Sequence, residues 1–189
     1  HFGVPVLNRF YGVFQDGKIK ARGIELRRGD TPEIVRRCQE EVIQELAKAA
    51  NSEEFIRRIP GALAVLRRCA DKILDHDIGV DDLIISKHLS KDPNRYINNV
   101  SQAIAARKLY AHGVEVTAGQ TVKYIIADAG NRRPERRVIP IQLVADGKRY
   151  DAEAYFELLV DAIHTILSPF GYTKENLMPN LSLSQNVFN

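Results

Sequence analysis

The chain has 189 residues, 44% of them hydrophobic, which is enough for one or two domains with cores of their own and excludes an intrinsically disordered chain. A formal net charge of +3 and a pI near 8.9 make it mildly basic, a weak pointer to a polyanionic partner. No stretch approaches 18 apolar residues, which excludes a spanning helix, and no secretory leader pattern is read.

Residues 5–26 alternate in polarity around Gln15-Asp16-Gly17-Lys18. An Asp-Gly turn between alternating segments predicts a β-hairpin. Asp30-Thr31-Pro32-Glu33 follows as a helix start, with Asp as N-cap, Pro in the first turn and Glu at the capping-box position. Ile34, Cys38, Val42, Leu46 and Ala50 recur every four residues and predict one apolar stripe on that helix. Ser52, Glu53 and Glu54 open a second helix, which Pro60-Gly61 interrupts or kinks before residues 62–74 continue it. Residues 81–86 (DDLIIS) predict a short strand, and 89–99 an irregular basic loop. A helix over about residues 100–112 is closed by Gly113. Residues 114–127 predict a second hairpin turning at Thr117-Ala118-Gly119-Gln120, and 131–137 (NRRPERR) a charged loop. Residues 151–167 form an amphipathic helix with Ala152, Tyr155, Phe156, Leu159, Ile163 and Ile166 on its apolar side. Beyond Tyr172 the tail is polar and expected to be loose until Val187 and Phe188.

Charge is segregated along this order. Residues 1–37 carry eight Lys/Arg against four Asp/Glu, and residues 131–149 six against two. The helical stretches 38–85 and 151–189 each come to −4. Cys38 and Cys69 both fall in apolar helical patterns and are expected to be buried, reduced thiols.

Tests for chemistry are negative. The histidines, at 1, 76, 88, 112 and 164, show no metal-ligand spacing. No phosphate-cradling glycine loop and no nucleophile elbow is present. Asp75, Asp77, Asp81 and Asp82 flank a loop and a strand start, where capping and solubility account for them. Two-metal phosphoryl transfer needs carboxylates on rigid buried strands, and no such pair is visible. The positive features concern backbone binding instead. Arg9, Lys18, Lys20, Arg22, Arg27 and Arg28 lie on the first hairpin and its exit. Ser86, Lys87, Ser90, Lys91, Arg95 and Tyr96 crowd one loop, and Arg132, Arg133, Arg136 and Arg137 form a third cluster. Cations neutralise phosphates and hydroxyls hydrogen-bond to them, so three basic loops on one scaffold suit a duplex cradle.

An ordered set of short matches covers nearly the whole chain. Arg9-Phe10-Tyr11, the acidic-Gly turn at Asp16-Gly17, Arg22-Gly23-Ile24-Glu25 and Arg28 with Asp30 come first. Leu89-Ser90-Lys91-Asp92 with Tyr96 follow, then Ala105-Ala106-Arg107-Lys108-Leu109 with His112-Gly113-Val114. Gly119 with Tyr124-Ile125-Ile126, Tyr150-Asp151 with Tyr155, and Phe170-Gly171-Tyr172 complete the set. Together they resemble the end of the palm and the thumb of archaeal family B DNA polymerases, which carry K-x-Y, R-G-I/L-E and R-x-D in this order. The sequence departs from the pattern in three places. Arg9 replaces the K-x-Y lysine and keeps its charge with a different geometry. Ile97 stands where many relatives carry a lysine, and Gln102 where they often carry a histidine.

The resemblance implies an α+β chain: an antiparallel palm-edge hairpin, then a mostly helical thumb with a small β-hairpin subdomain. Residues 1–29 would be palm strands completing a partner's sheet, 30–172 the thumb, and 173–189 a flexible tail. It implies DNA contacts from Arg9, Tyr11, Arg28, Asp30, Ser90, Lys91, Tyr96, Arg132 and Arg133. Arg9 and Tyr11 would face the minor groove near the primer end, while Arg28 and the following helix start would hold a phosphate. The family's metal-binding aspartates lie upstream of the matched region, so no catalytic residue and no cofactor are expected in this chain. Mg²⁺ is expected on a large catalytic polypeptide carrying palm, fingers and exonuclease. The expected arrangement is a two-chain polymerase of the kind some methanogenic archaea encode, with this chain as the small subunit, cytoplasmic and nucleoid-associated. A start at His1 rather than methionine also suits a fragment of an intact polymerase. Primer–template DNA is the expected ligand, with no membrane partner. Gln185-Asn186-Val187-Phe188 is similar to the start of a sliding-clamp-binding tail but ends too soon for the final aromatics, which favours a frayed terminus. The alternatives are a free-standing nucleic-acid-binding module, or a metabolic enzyme using the Asp75–Asp82 carboxylates in a pocket.

Overall fold

The computed structural model describes residues 9–145, 147 and 149–178. The chain forms two compact units. Residues 9–28, 34–72 and 157–178 make the first, and residues 29–33 with the described part of 73–156 make the second. The clamp-binding-like residues 185–188, and the expected flexible tail beyond residue 178, lie outside the described residues.

In the first unit, β1 (Phe10–Val13) and β2 (Ile19–Arg22) pair antiparallel, with Phe10 opposite Arg22 and Gly12 opposite Lys20. The turn closes through Phe14 N–H to the Lys18 carbonyl at 2.9 Å, and Gly17 sits at φ +82°, a conformation that favours glycine. A single helical turn at residues 25–27 follows. Helix α1 (Glu33–Leu46) buries Ile34, Cys38, Val42 and Leu46, the predicted stripe. Ala50 lies beyond its end and is exposed. Helix α2 (Ser52–Leu74) runs unbroken through Pro60. The proline removes one backbone donor, opposite the carbonyl of Ile56, a residue that is itself 65% exposed and open to water. The C-terminal part of α4 (Ala152–Leu167) adds Leu159, Ile163 and Ile166 to this core.

One polar residue sits inside it. Gln39 is fully buried, accepts from the Leu26 N–H at 2.6 Å, and donates to the Ala162 carbonyl at 2.7 Å and to Glu25 at 3.0 Å. A buried amide is tolerated only when its hydrogen bonds are made. These bonds join α1 to the hairpin exit and to α4. Cys38 and Cys69 are both buried and unoxidised, with their sulfurs in hydrogen-bonding contact.

Residues beyond Tyr172 are not all loose. Helix α5 (Lys174–Leu177) is opened by a reciprocal Thr173–Asn176 capping box and buries Leu177. A single apolar anchor was too faint a signal to read from the sequence.

The second unit is built on a three-stranded antiparallel sheet of order β3-β4-β5. It comprises β3 (Ile85–His88), β4 (Thr121–Ile126) and β5 (Val138–Pro140). Two expectations are corrected here. The strand foreseen at 81–86 is a 3-10 turn over Val80–Leu83 followed by β3. The hairpin foreseen at 114–127 does not form. Val114 N–H instead bonds the Leu109 carbonyl and finishes α3 (Ser101–Ala111), and the 117–120 turn is tied to Leu89 by two backbone bonds. β4 therefore takes β3 and β5 as its partners, the second of which carried no sequence signal. Ala103, Ala105 and Ala106 are fully buried, which lets α3 pack closely on β4 and β5. Tyr155 lies wholly inside, donating to the Leu83 carbonyl at 2.7 Å and accepting from Ile126 N–H at 2.9 Å.

Candidate nucleic-acid interface

In the first unit the hairpin alternation decides which side chains face out. Phe10 is 45% exposed, and Lys20 and Arg22 share its open face across the ladder. Phe14, at the turn, is also exposed. Arg9 is exposed immediately before β1. Tyr11 points the other way. It is half-buried, its hydroxyl donates to the Ile166 carbonyl at 3.3 Å, and burial raises its pKa. Arg27 donates to the Ile19 carbonyl at 2.9 Å and so closes the hairpin exit, leaving Arg28 exposed just after the turn.

In the second unit Asp30 forms an ion pair with Lys87 of β3 at 3.3 Å. Its carboxylate thus ties the 29–33 segment of this unit to the sheet, and its negative charge adds to the burial that pushes the neighbouring Tyr124 hydroxyl up to about 12.

Three of the foreseen residues come together on one loop. The Tyr96 hydroxyl accepts from the Ser90 N–H at 2.9 Å and lies 3.1 Å from the Ser90 hydroxyl. The Lys91 ammonium sits 5.0 Å from the centre of the Tyr96 ring, within cation–π range. These contacts with Ser90 lower the pKa of the Tyr96 hydroxyl. Arg107 of α3 holds the loop from behind. Its Nε reaches the Pro93 carbonyl (3.1 Å), Nη1 the Asn99 Oδ1 (3.0 Å) and Nη2 the Tyr96 carbonyl (3.1 Å).

The other basic loop is built by its neighbours. Asn131 accepts from the Arg133 N–H at 2.9 Å, Arg137 Nε reaches the Asn131 carbonyl at 2.7 Å, and Asp151 accepts from the Ala129 N–H at 2.7 Å. The Arg132 and Arg133 side chains remain exposed. Lys108, next to Arg107 on α3, donates to the Val138 carbonyl at 3.0 Å, directly after this loop. Adjacent residues of one helix therefore anchor both basic loops of the unit. Arg107 and Lys108 are the functional positions that residue-by-residue reading missed. In the sequence the pair matches only as part of a helix end, and no anchoring role is read from it.

The arrangement presents cations and hydroxyls on loops whose backbones are internally satisfied, which suits contact with phosphates without a large ordering cost. The enzyme alternative fares worse. A cavity of about 550 Å³ is lined by His76, Leu83, Ile125, Arg149, Tyr150 and neighbouring aliphatic residues, and none of Asp75, Asp77, Asp81 and Asp82 is in its wall. Among the described residues no three His, Cys, Asp or Glu side chains gather as a metal site, and no helix is long and apolar enough to cross a membrane.

Comparison with known proteins gives a consistent answer. The family model described as DNA polymerase family B matches residues 8–170. A DNA polymerase from Thermococcus sp. (strain 9oN-7) is 29% identical over 177 residues, covering 93% of this chain and 22% of the relative. One from Desulfurococcus sp. (strain Tok) is 30% identical over 178 residues, covering 93% and 22%. The structure of the family B DNA polymerase from the hyperthermophilic archaeon Pyrobaculum calidifontis superposes with a TM-score of 0.70 at 26% identity, covering 87% of this chain and 21% of that one. The chain thus spans about a fifth of the length of these relatives.

Proposed function

Because this chain belongs to DNA polymerase family B, we propose that it is the duplex-holding part of a DNA-directed DNA polymerase. It grips primer–template DNA and positions the primer end, while a large polypeptide of the same polymerase performs the chemistry. The observation that carries this reading is the pinned loop of residues 90–99, which displays Ser90, Lys91 and Tyr96 within the matched span. Arg132 and Arg133 add exposed cations on a second braced loop.

Among the described residues no three His, Cys, Asp or Glu side chains gather to hold the metal ions of phosphoryl transfer. We therefore assign Mg²⁺ to the large polypeptide and route no step through it here. This chain contributes position. Arg9 and Arg28 neutralise backbone phosphates near the primer end, and the thumb loops hold the new duplex. Holding the 3′-hydroxyl in a near-attack geometry lowers the barrier without a bond-making group. Tyr11 acts through its bond to Ile166, which fixes β1, the strand that Arg9 immediately precedes. The exposed Phe10 and Phe14, on a sheet in which only β1 and β2 pair among the described residues, are the surface that the large polypeptide covers.

Primer extension tests the reading. This chain, a candidate large polypeptide, and the two together are each given primed template, Mg²⁺ and four dNTPs. Strong extension only by the mixture supports the proposal. Extension by this chain alone refutes it, and a mixture that neither associates nor extends points to a free-standing DNA-binding module.

A further inference from the structure

The loop over residues 93–99 is more firmly held than its lack of regular structure suggests. Arg107 fixes it at Pro93, Tyr96 and Asn99. The Asp92 carboxylate caps it by accepting from the Asn94 N–H at 2.8 Å, and Ser90 fastens the Tyr96 hydroxyl. Ile97 nevertheless stands 95% exposed, the most exposed of the large apolar side chains described. A held backbone keeps that side chain in water, because the loop is not free to fold it inward. Around it, Asn94, Arg95, Asn98 and Asn99 are exposed as well. Over residues 90–99 the cations Lys91 and Arg95 face one carboxylate, Asp92, which is already engaged with the loop's own backbone.

An apolar tip flanked by amide and guanidinium groups matches the chemistry of a duplex minor groove. Amides and guanidinium groups meet the acceptors on the groove floor, and an aliphatic side chain lies against sugars and base edges. The positive balance of the loop favours a polyanion over an acid-poor protein surface. We infer that Ile97 is a groove-contacting residue, supplying a contact with duplex DNA that does not depend on salt. The inference rests on the duplex-holding reading above and names the residue that enters the groove.

The test is fluorescence anisotropy of the full chain with a labelled primer–template duplex across a salt series. Ile97→Ala is expected to weaken binding about fivefold at every salt concentration, as lost apolar contact should. The slope of log Kd against log salt stays unchanged, because no phosphate contact is removed. Ile97→Lys is expected to steepen that slope by about 0.9, the signature of one added phosphate contact. Since Ile97 is exposed, both variants should melt like the unaltered chain. Unchanged affinity in Ile97→Ala overturns the inference while leaving the duplex-holding reading in place. A flatter slope in Ile97→Ala also overturns it, because the loss would then belong to a disturbed phosphate contact. If the unaltered chain alone binds no duplex, the same series is run with the large polypeptide present, and failure to bind there removes both the inference and the reading beneath it.

Discussion

Replacing Gln39 by leucine is the sharpest test of how the hairpin is held. The side chain is fully buried and makes three hydrogen bonds, to Leu26, Glu25 and Ala162. A neutral bond contributes about 0.5–1.5 kcal/mol net, and one to a charged carboxylate about 1.5–3 kcal/mol. The losses do not simply add. Half-buried Glu25 can turn to water, and the Ala162 carbonyl keeps its place in the α4 ladder. The part-buried Leu26 N–H loses the Gln39 oxygen, its short 2.6 Å acceptor. Leucine has nearly the volume of glutamine, so cavity formation adds little. The expected loss is about 2–4 kcal/mol, which for a domain of this size lowers Tm by about 5–15 °C. Thermal melting followed by circular dichroism reads the size of the effect. Hydrogen exchange reads its place, because protection should fall at Leu26 and across the 25–27 turn before it falls in α1. A variant that melts within about 1 °C of the parent, with Leu26 exchange unchanged, would show that the hairpin exit is held by something else.

Two further outcomes follow from the second unit and from the buried tyrosines. Arg107→Met should loosen the 93–99 loop, seen as faster exchange there and weaker duplex binding, and cost about 1–3 kcal/mol. Arg107→Lys should not restore it, since one ammonium cannot span three acceptors, and rescue by lysine would refute the anchoring role. Alkaline titration should destabilise the chain between about pH 10 and pH 12. Burial pushes the Tyr124 and Tyr150 hydroxyls up to about 12, against 10 in the unfolded chain. The folded state keeps protons there that the unfolded state has released. Stability is therefore complete below pH 10 and falls as pH rises, by about 1.4 kcal/mol per pH unit for a fully buried group such as Tyr124. A stability flat across that window would contradict the burial of these hydroxyls.

Much of the chain was legible because its signals are local. An Asp-Gly turn specifies β1 and β2, and spacing by four specifies α1 through Leu46. Gly113 at φ +80° marks the end of α3, since few other residues accept that conformation. The basic clusters were visible as composition. What failed depended on partners distant in sequence. Residues 114–120 were read as a strand folding back on β4, but closing α3 and bonding Leu89 used their backbone groups instead. Pro60 was read as interrupting or kinking the helix, yet α2 is continuous through it, with Ile59 and Ala62 buried on either side. Within the basic clusters the sequence treats every cation alike. Tertiary structure sorted them: Arg27, Lys87, Arg107, Lys108 and Arg137 serve the fold, while Arg132 and Arg133 are left exposed and Lys91 is displayed over Tyr96. Local pattern determines which helix or turn a segment can form. Which of its polar groups remain open to a ligand depends on the donors and acceptors that distant segments bring to it, and those are set only when the chain has packed.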